Sequence, residues 1–494
     1  MRLTLLTGIL AILSLASVRA AEPPNIVLMI ADDLAWDDCG PFGNPHVGTP
    51  NIDRLAREGM CFDRAFVMAS SCSPSRCSII TGRYPHNTDA QELHQPLPKE
   101  QVTFVEKLKA SGYWTAAAGK WHLGGAVKNR FDVVREANAA GYQLGTGKDA
   151  GDKLAFEGAG AAQSGCDQWV PVLRDRPKDK PFFLWLASLD PHRDYQPNTI
   201  PTPHRPEDVV VPVELPDTPE VRKDLALYYD EISRLDHFVG AVLDELDRQG
   251  VANDTLVLFL SDNGRPFPRF KTTVYDGGVK TPLIARWPGR MPAGARCDSL
   301  VSTIDLAPTF LKLAGVQPGP TFQGKDVSPL FRDPTARIND VIIAERNWHD
   351  YAARGRSVRS ERFRYVKNDD RESNLNPPAD AVRSPTFVAM RKLRDEGKLT
   401  PEQSTCFFSP RPAEELYDLT ADPHELKNLA ADPKYAETLV EMRKTLADWQ
   451  QRTNDVAPDK LSPDEFDRET GDPLPNRVRP RPTKRATAKS ASAP

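Results

Sequence analysis

Four apolar runs punctuate the first half of the chain, and each stops at polar residues: NIVLMIADD (25–33), YWTAAAGKWHLG (113–124), PFFLWLASLDPH (181–192) and TLVLFLSDNG (255–264). Apolar runs of this length, bounded by polar turns, predict strands buried on both faces. Between them, PNIDRLAREG (50–59), TFVEKLKASG (103–112) and VRKDLALYYDEISRLDHFVGAVLDELDRQG (221–250) carry helical apolar spacing. Buried strands alternating with helices predict an α/β domain over 22–335, with a large, mostly parallel central sheet between helices. A smaller C-terminal α+β domain with an antiparallel sheet is expected over 336–455. There DVIIAERN and SVRSERFRYVKN alternate like strands, EELYDLTADPHE reads as a strand and turn, and PKYAETLVEMRKTLADWQQR closes as a helix. From 456 to 494 Pro, Arg, Lys, Ser and Ala dominate, and this tail reads as disordered.

Composition narrows the class. With 494 residues and 39% hydrophobic content, the chain can bury more than one core. A net charge of −4 argues against a nucleic-acid partner. Residues 1–20 (MRLTLLTGILAILSLASVRA) have the basic start, apolar stretch and small-residue end of a signal peptide. No later run is long and apolar enough to span a bilayer, so the expected product is exported: periplasmic or extracellular, or in a lysosomal-type compartment in a eukaryotic host. Seven cysteines are too few for a disulfide framework, and neither CxxC nor HExxH occurs.

In open α/β sheets the functional site lies beyond the carboxyl ends of the strands. The four runs end in Asp32-Asp33, Lys120 and His122, His192, and Asp262-Asn263. Three carboxylates and an amide suit a hard divalent cation, calcium or magnesium, provided the chain turns out of the sheet so that adjacent residues face one ion. Each is also an ordinary strand-end turn residue. Asp37 and Asp38 read as surface loop.

SSCSPSRCSIITGR (70–83) places Cys72 near a helix start, where free N–H groups favour an anion. A disulfide with Cys77 or Cys61, or a buried structural thiol, are the plain alternatives. The pattern Cys72-x-Pro74-Ser75-Arg76-x-x-x-Ile80-Thr81-Gly82-Arg83 resembles the signature of the type I sulfatases. GKWHLG, SDNG, KTTVYDGG and ELYDLTADPHELKNLA resemble further blocks of that family, in the family order. The resemblance implies an alkaline-phosphatase-like fold and a sulfohydrolase. It further implies that a formylglycine-generating enzyme oxidises Cys72 to Cα-formylglycine, the nucleophile, with Arg76 holding its hydroxyls. Asp32, Asp33, Asp262 and Asn263 would hold one calcium ion. Lys120, His122 and Lys271 would bind sulfate oxygens, and His192 would serve as acid for the leaving group.

Several stretches, including SDNGRPFPRFKTTVY (261–275), are similar to the heparan N-sulfatase (sulfamidase) branch, although Lys271 stands where that branch has arginine. ELHQPLP (92–98) resembles its His-Gln segment and makes His94 a pocket candidate. AERNWHDYAARGR (344–356) follows a strand and offers His349, Asp350, Arg354 and Arg356 to sugar hydroxyls or a second anion; a solvated loop is the alternative. The expected partner is a sulfated saccharide, N-sulfoglucosamine first. The alternatives are an exo-acting O-sulfatase on algal or glycosaminoglycan sugars, and a phosphatase or phosphodiesterase of the same superfamily.

Overall fold

The computed structural model describes residues 23–137, 164–475 and 477; the expected signal peptide and the end of the tail lie outside them. Eight strands form the central sheet: β1 (Asn25–Ala31), β2 (Met60–Phe62), β4 (Trp114–Gly119), β5 (Val133–Glu136), β6 (Phe182–Ala187), β7 (Thr255–Ser261), β8 (Leu283–Arg286) and β9 (Ala295–Cys297). Their spatial order is β5-β4-β6-β1-β7-β8-β2-β9, while β3 (Ala65–Phe66) and β10 (Val301–Ser302) pair separately. The four apolar runs are the adjacent strands β4, β6, β1 and β7, all mutually parallel.

Both faces of β1 are buried, which explains its unbroken apolar sequence. Val27, Met29 and Ala31 join one core cluster, and Ile26, Leu28 and Ile30 join the other. The long helix Pro219–Arg248 covers the first face with Leu225, Tyr228, Ile232 and Val239; its start is fixed by Pro219 and by Thr218, whose hydroxyl accepts from the Val221 N–H. Helices Cys72–Thr81, Phe104–Ala110 and Leu306–Leu313 cover the second face.

Register puts the chemistry at one edge of the sheet. Ala31 lies opposite Ser261 and Ile30 opposite Ala187, so the residues after β1, β6 and β7 emerge level with one another. The backbone ladder continues one step further, with the Asp262 N–H donating to Ala31 O at 3.1 Å and the Lys120 N–H to Ala187 O at 2.9 Å.

A second, antiparallel sheet runs β11 (Ile342–Arg346), β12 (Gly355–Arg359), β13 (Phe363–Asn368), β14 (Glu414–Asp418), and helix Ala436–Thr453 closes over it with Leu439, Met442, Leu446 and Trp449. Two features depart from expectation. Helices Ala379–Val382 and Pro385–Asp395 intervene between β13 and β14, and the second packs on the long helix. The stretch after 456 is ordered as far as the structure describes it. Phe466 and Glu465 are buried, Trp348 donates its indole N–H to Pro463 O at 2.7 Å, and the Glu465 N–H donates to Asp350 O at 2.8 Å. Its polar composition hid a few anchoring residues that dock on the segment after β11.

Candidate active site

After β1 the chain leaves the sheet through Asp33, at φ 72, a conformation Asp tolerates better than most residues. Tyr228 clamps the turn: its hydroxyl donates to Asp33 O at 3.1 Å and accepts the Ala35 N–H at 3.0 Å. The turn brings successive side chains to one place. The Asn263 amide donates to Asp33 Oδ1 at 2.6 Å and to Asp262 Oδ1 at 2.9 Å, and the Asp33 N–H reaches Asp262 Oδ1 at 3.3 Å.

Cys72 is the first residue of its helix, and the whole helix is buried. Its thiol lies 3.4 Å from Asp32 Oδ1, 3.8 Å from Asp33 Oδ1 and 4.0 Å from Asn263 Oδ1. Ligand atoms of Asp32, Asp33, Cys72 and Asp262 all fall within 4.8 Å of one another. The oxygen donors of this cluster suit a hard divalent cation, and Asn263 adds an amide oxygen of the same character.

No disulfide occurs among the described residues, and Cys61, Cys72 and Cys77 are all buried free thiols. Burial, reinforced by the Asp32 charge, raises the Cys72 thiol well above its ordinary pKa. The helix N-terminus alone offers about 0.3–1 kcal/mol to an anion, and here burial outweighs it.

Arg76, four residues on and therefore on the same helix face, donates Nε to Asp262 Oδ2 at 2.7 Å and Nη1 to Lys120 O at 3.3 Å. Lys120 pairs with Asp32, and Lys271 with Asp33 at 2.7 Å. Burial alone would raise the Asp32 carboxyl, yet Lys120, His192, Arg76 and Lys271 hold it well below the usual range. Burial likewise disfavours a charged Lys271, but Asp33 beside it carries its pKa well above the ordinary value. Asp262 is pushed up to about 6, by burial first, with Arg76 opposing.

His192 Nε2 stands 3.7 Å from Asp33 Oδ2. His122 meets His94, Nε2 to Nδ1 at 2.8 Å; burial and Lys120 drive its pKa far down, so it faces the site as a neutral ring. His349 Nδ1 lies 2.7 Å from the hydroxyl of Ser71, next to Cys72, and Asp350 accepts the Ala379 N–H at 2.9 Å.

The structure thus brings together Cys72, Arg76, Lys120, His122, His192, Lys271 and the four oxygen donors, with His94, His349 and Asp350 beside them. Arg354 and Arg356 are a correction. Arg356 grips Asp455 through Nε at 2.8 Å and Nη2 at 2.7 Å, and Arg354 pairs with Asp369 at 3.0 Å and Asp455 at 3.3 Å. Buried guanidiniums require carboxylates inside the protein, and Asp455 meets that need after the closing helix. Asp38 is a second correction: it is buried against Arg265, whereas only Asp37 reaches the surface.

One site residue escaped the sequence reading. Asp380, in the helix Ala379–Val382, turns Oδ2 to within 3.8 Å of His192 Nε2. The stretch NPPADAV carries no periodicity or motif that points there; only the tertiary fold does.

Comparison with known proteins gives the family. The family profile described as Sulfatase matches residues 24–316, and one described as N-sulphoglucosamine sulphohydrolase, C-terminal, matches residues 269–374. Human N-sulphoglucosamine sulphohydrolase is 32% identical over 92% of this chain and 96% of its own length. An ulvan-active sulfatase of Formosa agariphila is 29% identical over 89% of this chain and 77% of its own. A solved structure described as being in complex with its substrate D-glucosamine-2-N,6-O-disulfate superposes with a TM-score of 0.67 at 21% identity, covering 89% of this chain and 100% of that one. With the family profile covering more than half of the chain and the human relative nearly all of it, this protein belongs to the sulfatase family.

Proposed function

We propose that this sulfatase removes sulfate from terminal N-sulfoglucosamine residues of glycans, using a formylglycine made from Cys72 and one calcium ion held by Asp32, Asp33, Asp262 and Asn263. The observation that carries the reading is the convergence of Cys72, four oxygen donors and the cations Arg76, Lys120 and Lys271 at one buried sheet edge. Similarity to the human sulphohydrolase along nearly the full chain, second domain included, supports the sugar.

When present, the oxidised residue supplies an oxygen nucleophile and the calcium ion a fixed positive charge. The rest is done by this chain's own side chains. Lys120, Lys271 and neutral His122 bind sulfate oxygens and stabilise the negative charge that spreads over them as the sulfuryl group transfers. Arg76 orients the group at position 72. His192, beside the sulfate site, donates its proton to the departing amine. The short loop after Asn263 favours a pocket that takes a terminal sugar over a groove that takes a long chain. Maturation requires a formylglycine-generating enzyme, and the expected location is exported.

The ulvan-active relative and Lys271 in the arginine position favour a second reading, an exo-acting O-sulfatase. Protein made together with the maturation enzyme tests both. Peptide mass spectrometry should find an aldehyde at position 72, and sulfate release should be fastest from glucosamine N-sulfate among N-, 2-O-, 6-O- and 4-O-sulfated sugars. An active preparation with an intact thiol would refute the nucleophile. Faster release from an O-sulfated sugar would replace the substrate.

A further inference from the structure

We propose that Asp380 determines specificity by accepting a hydrogen bond from the N–H of the substrate's sulfamate group, so that the site selects N-sulfate over O-sulfate. This rests on the reading of the site as a hydrolase of sulfated sugars.

The first observation is how firmly the Asp380 carboxylate is held. Asp350 anchors its helix through the Ala379 N–H at 2.9 Å. A few residues on, the Thr386 hydroxyl donates to Asp224 at 2.6 Å, and Asp224 is itself gripped by both Nη atoms of Arg193 at 2.8 Å. Asp380 therefore belongs to a short segment pinned at one end to the loop after β11 and at the other to the long helix of the catalytic domain.

The second observation is which oxygen remains available. Oδ1 accepts the Ala381 N–H at 2.7 Å. Oδ2 faces His192 Nε2 at 3.8 Å, too far for a hydrogen bond. Both side chains keep a sliver of exposure, 13% for Asp380 and 15% for His192, so neither is sealed from a ligand. Two atoms at that separation share positions about 2.9 Å from each, the distance of an ordinary hydrogen bond. The leaving atom must come within such a distance of His192 to take its proton. Where it does so in the region the two side chains share, it lies within reach of Asp380 as well.

A sulfamate nitrogen carries one hydrogen, whereas a sulfate-ester oxygen carries only lone pairs. A carboxylate oxygen beside the leaving atom accepts from the first and repels the second. Burial, opposed by the charges of His192, Lys271 and Arg193, leaves the Asp380 carboxyl below its ordinary pKa, so the acceptor form prevails. Sites built around a substrate N–H reject analogues that lack it, because the buried acceptor is then left unpaired.

The test uses the mature enzyme and three probes: glucosamine N-sulfate, its N-methyl-N-sulfo analogue and glucosamine 6-O-sulfate. In the wild type, N-methylation should lower kcat/KM by about 10- to 100-fold. In Asp380→Asn the ratio of kcat/KM for N-sulfate to that for 6-O-sulfate should fall by at least about tenfold. The N-methyl comparison needs no variant, so it decides the matter even if Asp380→Asn misfolds. Equal turnover of the methylated and parent sulfamates, or a parallel loss on both substrates in Asp380→Asn, would overturn the assignment while leaving the N-sulfatase reading intact. A wild type that cleaves 6-O-sulfate but not N-sulfate would remove the substrate reading and this inference together.

Discussion

Replacing Arg356 by Met should cost stability and leave substrate affinity alone. The side chain is buried, holds Asp455 with two hydrogen bonds at 2.7 and 2.8 Å, and lies 3.6 Å from Glu345. Breaking a buried pair from one side costs about 3–5 kcal/mol. A pair with charge centres ~4 Å apart at an effective dielectric of ~20 gives a similar ~4 kcal/mol. The lower end applies here, because neither acid is stranded: Asp455 keeps Gln450 at 3.1 Å and Arg354 at 3.3 Å, and Glu345 keeps His86 at 2.6 Å. About 3 kcal/mol corresponds to a fall of roughly 3 °C in Tm for a chain of 494 residues, at about 2.1 cal/mol/K of unfolding entropy per residue. Scanning calorimetry at one fixed scan rate would measure it, since a chain this long need not unfold reversibly. The double variant Arg356→Met/Asp455→Leu should recover most of the loss, since an apolar pair can replace a buried ionic one. A single variant that melts with the wild type, or that keeps its Tm while losing affinity for glucosamine N-sulfate, would return Arg356 to the substrate and refute this reasoning.

The other perturbations are simpler. Burial lowers the pKa of His86 but Glu345 more than offsets it, so the folded value lies above the unfolded ~6.5. Its pairing therefore stabilises fully below that pH and is lost as pH rises through the folded value; urea titrations should show the decline in wild type and a flatter profile in His86→Gln, and parallel profiles would refute it. Cys72→Ala should abolish sulfate release by protein with wild-type circular dichroism, and residual turnover would remove the nucleophile from position 72. Tyr228→Phe deletes the hydroxyl that bridges Asp33 O and the Ala35 N–H, and should cost about 1–3 kcal/mol by denaturation because buried groups lose their partner. A neutral substitution would mean the turn at Asp33 holds itself.

The sheet and most of the site could be read from the chain because parallel strands buried on both faces leave continuous apolar runs, and the residues that end them all emerge at one edge. Cys72 and Arg76 were legible as a pair through their resemblance to the sulfatase signature, and the helix bears this out by returning residues four apart to one face. What stayed hidden was set by distant partners. Asp380 is placed by contacts 29 and 162 residues apart in sequence, Asp350 to Ala379 and Asp224 to Thr386. The fate of Arg356 was decided by Asp455, 99 residues away. Local pattern reports that a charge exists, not which opposite charge will reach it.

The same pairing logic bears on how the site takes its ligands. Lys120 answers the Asp32 carboxylate and Lys271 that of Asp33, while Arg76 holds Asp262 and reaches Asp32 at 3.9 Å. A sulfate arriving alone must draw the lysines from these carboxylates and leave buried negative charge uncompensated. A divalent cation arriving alone must displace the same lysines and leave them bare. Arriving together, each relieves the charge the other exposes, so the two bindings are linked and the linkage is reciprocal. Calorimetric titration of unmodified protein should therefore give tighter sulfate binding with calcium than with chelator, and an equal tightening of calcium by sulfate. Coupling of this kind is typically 5- to 150-fold, and Asp262→Asn, which removes one carboxylate from the balance, should shrink it. Independent binding of the two ions would mean that the lysines seen on Asp32 and Asp33 never have to choose between partners.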